Sequence, residues 1–425
     1  MAQTLNESLK LTAADAAEDD EFGFSVALDG AKAVVGAPYD DDLGDDSGSV
    51  YVRSGQQMIK LNASDGAAGD RFGWSVATSG SFAVVGAPYD NDHGFGTGSA
   101  YVFDLSTGQE LFKLTASDAD ATDYFGTAVA IDGNIALIGA DGTDAQGAFT
   151  GSVYVFDSST GQEIRILNAT LGATMDHFGA SVGINGNTAV IGAYGDGLAA
   201  SNYGAAYIFD IATGQELHKL LASDPGDEDQ FGYAVAISGS RAVVGAWRND
   251  DAGTESGSAY IYNVATGQEL HKLTASDASG SDYFGRSVSA AGSFAAIGAP
   301  LAGVTGGAYI FDMNTGDEVF KLFPSDVTNG AWAGRSVSMR GSFALAGAHF
   351  DNDDTGTNNT GSAFVFDLTP CTADLNNDGV LDFFDISAFL TAFTAGDPVA
   401  DFTGDGTFDF FDISAFLTAF SAGCP

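Results

Sequence analysis

The chain has 425 residues, of which 57 are acidic and only 15 are lysine or arginine, and its formal net charge at pH 7 is −42. This charge argues against binding to nucleic acid, whose phosphates need basic partners, and against binding to anionic membranes. The chain has no run of 18 apolar residues that would span a membrane. Its first residues lack the basic start and apolar core of a signal peptide, so we expect a mature or trimmed chain.

Most of the chain repeats one unit of about 50 residues, which is described below, and the start of the chain contains a strand that the last unit lacks. Complete repeats end in a Lys-Leu strand followed by an Asp, whereas the last repeat stops at Asp367 without that strand. The missing piece stands at residues 8–15, where Leu9-Lys10-Leu11 precedes Asp15. We therefore expect residues 8–15 to form the outer strand of the last unit. This pairing would close the units into a ring and remove an exposed sheet edge.

One unit of about 50 residues recurs along most of the chain and is clearest from Phe72 to Asp118. Its four short apolar runs, separated by glycine-bearing turns, predict a four-stranded antiparallel meander. Seven such units predict an all-β, seven-bladed β-propeller in residues 1–368, because a single meander cannot bury both its faces. The opening Phe-Gly pair, degenerate in the last copy, begins at Phe22, Phe72, Phe125, Phe178, Phe231, Phe284 and Ala333.

Long acidic loops follow the second strand of several units, and some carry an aromatic residue just after a Gly-Ala pair. In a meander of this order these loops share one face of the disc, and the opposite face has only tight turns. Binding sites usually lie on long loops of a rigid scaffold, so we expect a protein or glycan ligand on this face. The alternative is that the aromatic residues only pack against neighbouring blades. These residues are Tyr39, Tyr89, Tyr194, Trp247 and Phe350.

Phe-Gly followed by Gly-Ala-Pro, intact at residues 36–38, 86–88 and 298–300, resembles the FG-GAP repeat of integrin α-subunit propellers and bacterial surface proteins. The resemblance implies a propeller exposed outside the cell. Many members carry an Asp-x-Asp-x-Asp-Gly calcium loop between the two elements, whereas this chain has only a tight turn there, as at Asp29-Gly30. The family's calcium sites are therefore not carried over, and calcium binding by the acidic loops stays open.

Residues 369–425 form a second predicted domain, small and α-helical, with two acidic loops that each lead into the same apolar helix sequence. Each loop has oxygen ligands at positions 1, 3, 5, 9 and 12, a carbonyl at position 7 and glycine at position 6, as an EF-hand-type calcium site requires. We expect two Ca²⁺ ions. The first loop offers Asp374, Asn376, Asp378, the Val380 carbonyl, Asp382 and Asp385. The second offers Asp401, Thr403, Asp405, the Thr407 carbonyl, Asp409 and Asp412.

The only two cysteines, Cys371 and Cys424, bracket these loops and are predicted to form a disulfide that stabilises a very small core. The duplicated loop resembles a dockerin, which attaches secreted proteins to cohesin partners, and the bracketing cysteines resemble the GC-type dockerin-like tails of planctomycete-type secreted proteins. The resemblance implies contacts to a cohesin-like partner through loop positions 10 and 11. The alternative for one residue of each pair is a place in the core. The pairs are Phe383, Phe384, Phe410 and Phe411.

The sequence thus predicts a secreted or cell-surface, non-catalytic binding or adhesion propeller, anchored to a scaffold by a calcium-dependent tail. A second hypothesis is a structural subunit whose tail binds the propeller of a neighbouring copy, head to tail. A propeller enzyme is less favoured. Residues 179–183 match the Gly-x-Ser-x-Gly pattern of hydrolases, but they lie within the repeated Phe-Gly-x-Ser-Val strand, so we interpret the match as coincidental.

Overall fold

The fold is that of a computed structural model, which describes residues 2–30, 32–197, 202–353, 356–369, 372–375 and 381–422. Within these ranges the chain forms seven sheets arranged as the blades of a propeller, followed by two α-helices. The predicted seven-bladed, all-β propeller is confirmed. Strands are numbered in chain order, and the first two, β1 (Gln3–Leu5) and β2 (Leu9–Leu11), join blades whose other strands come from the end of the chain.

The innermost strand of each blade lines the central axis and contacts the innermost strands of both neighbouring blades. From blade 1 to blade 7 these strands are β3 (Ser25–Asp29), β7 (Ser75–Ser79), β11 (Ala128–Asp132), β15 (Phe178–Asn185), β19 (Ala234–Ser238), β23 (Ser287–Ala291) and β27 (Ser336–Arg340). The second strands are apolar and almost wholly buried, because they lie between two neighbouring blades. They are β4 (Lys32–Ala37), β8 (Phe82–Ala87), β12 (Ile135–Ala140), β16 (Thr188–Ala193), β20 (Arg241–Ala246), β24 (Phe294–Ala299) and β28 (Phe343–Ala348).

The third strands carry a large aromatic side chain into the space between blades. They are β5 (Ser49–Ser54), β9 (Ser99–Asp104), β13 (Ser152–Asp157), β17 (Ala205–Asp210), β21 (Ser258–Asn263), β25 (Gly307–Asp312) and β29 (Ser362–Asp367). The outer strands are more exposed. In blades 1 to 6 they are β6 (Gln57–Leu61), β10 (Gln109–Leu114), β14 (Gln162–Leu167), β18 (Gln215–Leu220), β22 (Glu269–Leu273) and β26 (Glu318–Leu322).

The start of the chain supplies the outer strand of blade 7. Strand β2 runs antiparallel to β29, with Lys10 opposite Phe364. Just before it, the Ser8 N–H donates a hydrogen bond of 2.8 Å to the Val365 carbonyl. Strand β1 adds in parallel to β26, so blade 6 has five strands. The repeat gave no indication of this fifth strand, because the other units have no counterpart of residues 3–5.

Neighbouring blades approach each other at the level of the backbone, which explains the two glycines of the repeat. A Cβ atom on Gly86 would lie 2.0 Å from the carbonyl oxygen of Gly126 in the next blade. The Ser75 hydroxyl donates to the same carbonyl at 2.8 Å. At the ring closure, Ser336 of blade 7 makes the equivalent bond to the Gly23 carbonyl of blade 1, at 3.0 Å.

The tail contains α1 (Phe383–Ala395), a short 3₁₀ turn (Pro398–Ala400) and α2 (Phe410–Ala422). The two helices meet through Phe389 and Phe416, whose rings stack at 4.1 Å. Together with Ala373 and Ala400 these rings form a separate small core. No helix in the described part of the chain is both long enough and apolar enough to cross a membrane.

Candidate functional site

A cavity of about 580 Å³ lies on the propeller axis. It is lined by the first residues of the inner strands, such as Ser75 and Val76 of blade 2. In the meander these strands begin on the face that carries the long second-strand loops. The cavity therefore opens on the face where the sequence predicts a ligand.

One residue per blade, immediately after the Phe-Gly pair, lines this cavity. The residues on either side of it hardly vary between blades, whereas this position ranges from alanine to tryptophan and arginine. A rigid ring whose single variable position faces a cavity is an arrangement suited to binding. The seven residues are Phe24, Trp74, Thr127, Ala180, Tyr233, Arg286 and Arg335.

The residue before each Phe-Gly pair, and before its degenerate form Ala333-Gly334 in blade 7, has left-handed backbone, with φ between 54° and 60°. None of them is glycine, although this conformation costs an ordinary residue about 1 kcal/mol. The long loop of the preceding blade holds it in place. The N–H of Arg71, for example, donates to the Asp46 carbonyl at 3.1 Å. The seven residues are Glu21, Arg71, Tyr124, His177, Gln230, Tyr283 and Trp332.

Aromatic and histidine rings contact one another in sequence around the cavity, with centroids 4.7 to 6.5 Å apart. We call this set the aromatic girdle. It is interrupted between blades 3 and 4, where the small residues Thr127 and Ala180 line the cavity. All three tryptophans of the chain belong to it. In order, the girdle consists of Tyr124, Tyr89, Trp74, Phe24, His349, Trp332, Tyr283, Trp247, Tyr233, Tyr194 and His177.

Arginine side chains lie on the faces of these rings. The guanidinium of Arg286 is 4.4 Å from the Tyr233 ring centroid, and that of Arg335 is 4.5 Å from the Phe24 centroid. Arg71 lies 4.7 Å from Tyr89 and is also within 3.5 Å of the Asp46 carboxylate. Within the described ranges, by contrast, Arg286 and Arg335 form no ion pair. The cavity therefore has a cationic wall in a strongly acidic protein.

Burial changes the pKa values of three ionisable side chains at this wall, and the net effect favours positive charge. Desolvation and the neighbouring Arg286 lower the pKa of Arg335 to about 10, so that it remains a cation at neutral pH. Desolvation and the two arginines also hold the pKa of His349 far below its usual value, which keeps it neutral. Desolvation raises the pKa of Glu21 to about 7, despite the opposing effect of Arg335. Glu21 is therefore only partly ionised near neutral pH and offsets the arginines incompletely.

The predicted ligand-face residues fall into two groups. Tyr89 and Tyr194 line the cavity. Behind it, Tyr39 packs against Phe24, Trp247 packs against Tyr233, and Phe350 packs against Trp332. Contact between these five residues and a ligand remains a prediction.

Sequence reasoning missed the residues at the variable position, above all Arg286 and Arg335. A usable signal was present, because the position changes freely inside the otherwise constant Phe-Gly-x-Ser-Val segment. Only the fold shows that these seven positions line one cavity on the axis.

Farther from the axis, lysines from the outer strands occupy the acidic loops. The Nζ atom of Lys113 lies 2.7, 2.8 and 2.6 Å from carboxylate oxygens of Asp65, Asp90 and Asp92. The Tyr101 hydroxyl lies 3.0 Å from both Asp65 and Asp90. Burial lowers the pKa of Lys113, but these carboxylates outweigh it and raise the pKa overall. Other blades use the equivalent lysines Lys10, Lys60, Lys219, Lys272 and Lys321.

We call these lysine–carboxylate groups the rim clusters. In blade 3 the lysine and the buried aspartate are replaced together, by Ile166 and Thr143. The ammonium group of each cluster stands where a bound cation would be expected among such carboxylates. Across the described ranges, no group of three or more His, Cys, Asp or Glu side chains is arranged to hold a metal ion.

The second tail loop has part of the predicted ligand set close together. The Thr403 hydroxyl lies 2.9 Å from an Asp412 oxygen and 3.4 Å from an Asp401 oxygen. Asp405 instead accepts a hydrogen bond of 2.8 Å from the N–H of Thr407, and Asp409 accepts one from Phe411 at the start of α2. Calcium binding here remains a prediction.

In the first tail loop, Asn376, Asp378 and Val380 lie outside the described residues, as do Cys371 and Cys424. Of the remaining predicted ligands, Asp374 and Asp385 are buried, and Asp382 caps α1 by accepting from the Phe384 N–H at 2.7 Å. The disulfide and the first calcium site are therefore untested.

The four phenylalanines at loop positions 10 and 11 are all exposed, with 65 to 73% of each residue accessible to solvent. None fills the small core, so the alternative of a core position for one of each pair is wrong. The set consists of Phe383, Phe384, Phe410 and Phe411.

Comparison with known proteins bears on the propeller. No curated protein matches the chain. The FG-GAP repeat family matches seven segments, none of which extends into the tail, at residues 5–53, 56–103, 109–156, 162–209, 215–262, 268–311 and 317–366. Each matched segment begins at or near the outer strand of one blade and continues into the next blade. The first segment accordingly contains β2, the outer strand of blade 7, and continues into blade 1. Because these segments make up most of its length, the chain belongs to the FG-GAP repeat family.

Proposed function

We propose that this protein is a non-catalytic binding protein of the cell exterior, which holds its ligand in the axial cavity. The observation that carries the proposal is the ring of seven variable residues around a cavity in an otherwise regular scaffold. The family supports it, since FG-GAP propellers are typically non-catalytic and often extracellular.

The serine of the hydrolase-like pattern supports a non-catalytic role. Ser181 donates a hydrogen bond of 2.9 Å to the Gly232 carbonyl of the next blade, as Ser75 does to Gly126. A nucleophilic serine instead gives its proton to an adjacent base. The hydroxyl is thus engaged in the blade-to-blade contact that the repeat uses elsewhere.

Filling the cavity tests this proposal. Ala180→Trp would occupy the cavity with a side chain that blade 2 carries at the same repeat position, so folding should be preserved. On a glycan and protein array we expect wild-type protein to bind a defined set of probes that the variant loses. Ala212→Trp, in an exposed turn on the opposite face of blade 4, is the matched control. The control should bind the same probes as the wild type, and probes retained by Ala180→Trp would contradict the axial site.

We extend the proposal to the tail as a calcium-dependent anchor for a cohesin-like partner. The donors that come together in the second loop, Asp401, Thr403 and Asp412, are all oxygens and fit a hard cation such as Ca²⁺. A bound ion would neutralise their mutual repulsion and stiffen the loop. The exposed phenylalanine pairs at the start of both helices are suited to an apolar partner surface.

Calorimetric titration of the full chain with Ca²⁺ checks the anchor. We expect two ions to bind to the wild type and one to be lost in Asp401→Ala. Asp397→Ala, which removes an exposed carboxylate outside the predicted ligand set, should bind both ions. Absence of calcium-dependent heat would overturn the tail assignment and leave the axial site unaffected.

A second candidate is a structural subunit of a head-to-tail assembly, favoured by the same exposed phenylalanines. Their occupant would then be the propeller of the next copy. Light scattering with and without calcium separates the two, because assembly predicts a mass that rises with concentration only when calcium is present. A monodisperse monomer at high concentration would contradict assembly.

A further inference from the structure

We propose that the axial cavity recognises a sugar ring bearing an oxyanion, either a carboxylate or a sulfate. This inference rests on the proposed binding function of the cavity and names the chemical class of its ligand. It starts from Arg286 and Arg335, which occupy the variable position of adjacent blades 6 and 7.

Two like charges side by side are costly when no acid compensates them. In the described ranges neither guanidinium has a carboxylate within ion-pair distance, although the chain carries 57 acidic residues and 15 basic ones. At the rim, by comparison, a single lysine such as Lys113 meets three carboxylates. Asp141 also lines the cavity, but it lies in blade 3 at 3.3 Å from His177 and forms no ion pair with the arginines in the described ranges. The counter-charge beside the arginines is what an anionic ligand would supply.

The aromatic rings orient these arginines for an oxyanion that presents two acceptor oxygens. Arg286 lies between Tyr233 and Trp247, at 4.4 and 4.9 Å from their centroids, and Arg335 lies over Phe24. Stacking uses the faces of the guanidinium and leaves its N–H edges available for paired hydrogen bonds. Carboxylate and sulfate groups accept such bonds on two oxygens at once.

The rest of the cavity suits a ring rather than a flexible chain. Trp74, Tyr89 and Tyr194 line it with aromatic groups, and an aromatic face attracts the weakly positive C–H face of a sugar. Opposite the arginines, Thr127 and Ala180 leave room. The volume of about 580 Å³ lies in the range of small-molecule pockets.

The charge of the whole protein limits the ligand further. A net charge of −42 and the acidic loops around the cavity repel a long polyanion. The cavity should therefore take one acidic sugar, free or at the end of a chain, rather than an internal stretch of a polyanionic polymer.

Intrinsic fluorescence tests this directly, since Trp74 lines the cavity and Trp247 lies against Arg286. The full chain is titrated with glucuronate and galacturonate as the carboxylate arm and with glucose 6-sulfate as the sulfate arm. Glucose, galactose and an acidic dipeptide complete the panel. We expect saturable quenching by at least one acidic sugar, and binding about tenfold or more weaker for its neutral counterpart and for the dipeptide.

Variants taken from the repeat itself locate the charge. Arg286→Thr and Arg335→Thr each install the residue that blade 3 carries at this position, and each should weaken binding of the acidic sugar about tenfold or more. Arg340→Thr is the control, because Arg340 ends β27 on the opposite face, whereas Arg335 immediately precedes that strand, and because Arg340 pairs with Asp29 at 3.0 Å. It should bind as the wild type does.

Equal quenching by neutral sugars, insensitive to both arginine variants but lost in Ala180→Trp, would overturn the oxyanion and leave the axial site standing. Tighter binding of the acidic dipeptide would assign the cavity to a peptide and overturn the sugar. No quenching by any acidic sugar up to about 10 mM would overturn the inference. If Ala180→Trp left array binding intact, the proposed function itself would fail.

Discussion

Cations meet aromatic rings at two places on the same face of the propeller, the rim and the axis. At the rim, the Nζ atom of Lys113 lies 5.4 Å from the Tyr101 centroid and is surrounded by three carboxylates. At the axis, Arg335 lies 4.5 Å from the Phe24 centroid and has no such partners among the described residues. The rim is electrostatically complete within the chain, whereas the axis is not.

The two places also differ in how the repeat varies. At the rim, six of the seven blades keep the lysine, and only blade 3 replaces it, by Ile166. At the axis, neighbouring blades carry unrelated residues, such as Trp74 beside Thr127. A position that the repeat keeps is typical of residues that stabilise the scaffold, and a position that it varies freely is typical of residues that face something outside the chain.

Removal of residues 1–15 should destabilise the rim more than the loss of any single rim cluster. This deletes β2 together with Lys10, which pairs with Asp351 at 3.0 Å, and Asp15, which pairs with Lys60 at 2.9 Å. The exposed edge of β29 should favour aggregation. We expect scanning calorimetry to show a melting temperature lower by about 10 °C or more. Deleting residues 1–5 alone removes only β1 and should have a much smaller effect; equal losses would show that β2 does not close the ring.

Breaking a single rim cluster should come next. Lys113→Met leaves the buried Asp90 without its cation, and we expect the free energy of unfolding to fall by about 2 to 3 kcal/mol in urea titrations. The double change Lys113→Ile/Asp90→Thr copies blade 3 and should recover most of that loss. The new hydroxyl would face Ser99, as Thr143 faces Ser152 at 2.7 Å. A double variant less stable than the single one would contradict the coupling.

A third test uses the buried carboxylate of Asp70, which lies near the rim cluster of Lys113. Desolvation raises the pKa of Asp70 to about 6, and its carboxylate accepts a hydrogen bond of 2.8 Å from the Ala67 N–H. Because the folded state holds this proton more tightly than the unfolded state, stability should fall as pH rises from 4 through 6. Asp70→Asn keeps an acceptor but loses the charge, so its melting temperature should exceed that of the wild type at pH 8 and equal it at pH 4. A difference independent of pH would show that the charge is not responsible.

The smallest expected effect on stability comes from a change at the axis, where we expect the arginines to contribute little to folding. Arg335→Thr loses a contact with Phe24 but also relieves repulsion from Arg286. The free energy of unfolding should therefore change by less than about 1 kcal/mol, far less than for Lys113→Met. Urea titration of both variants in one buffer makes the comparison, and an equal loss would mean that Arg335 is structural.

The repeat made the propeller predictable because each blade is local: Phe-Gly, Gly-Ala and the Lys-Leu strand recur in register, and each has one packing role. The axial site was not predictable from one unit, since Arg286 and Trp74 lie far apart in sequence and meet only in the closed ring. The fifth strand at residues 3–5 escaped for a similar reason, because it has no counterpart in the other repeats. In the tail, the repeated apolar helix sequence indicated a small core, while exposure of both members of each phenylalanine pair depended on how the helices pack.

Closure by β2 also bears on how the molecule is made. Ser8 and Val365, which are hydrogen-bonded, stand 357 positions apart, so the ring cannot close until nearly the whole propeller has left the ribosome. At ordinary rates of synthesis the first residues wait roughly 20 to 70 s for their partner. During that time blades 1 to 5 receive all their strands from their own stretches of chain, whereas β2 must wait until β29 of blade 7 has been made. The beginning of the chain is thus the last part of the propeller to pair. The first and last blades of the nascent protein stay unjoined until β2 pairs with β29.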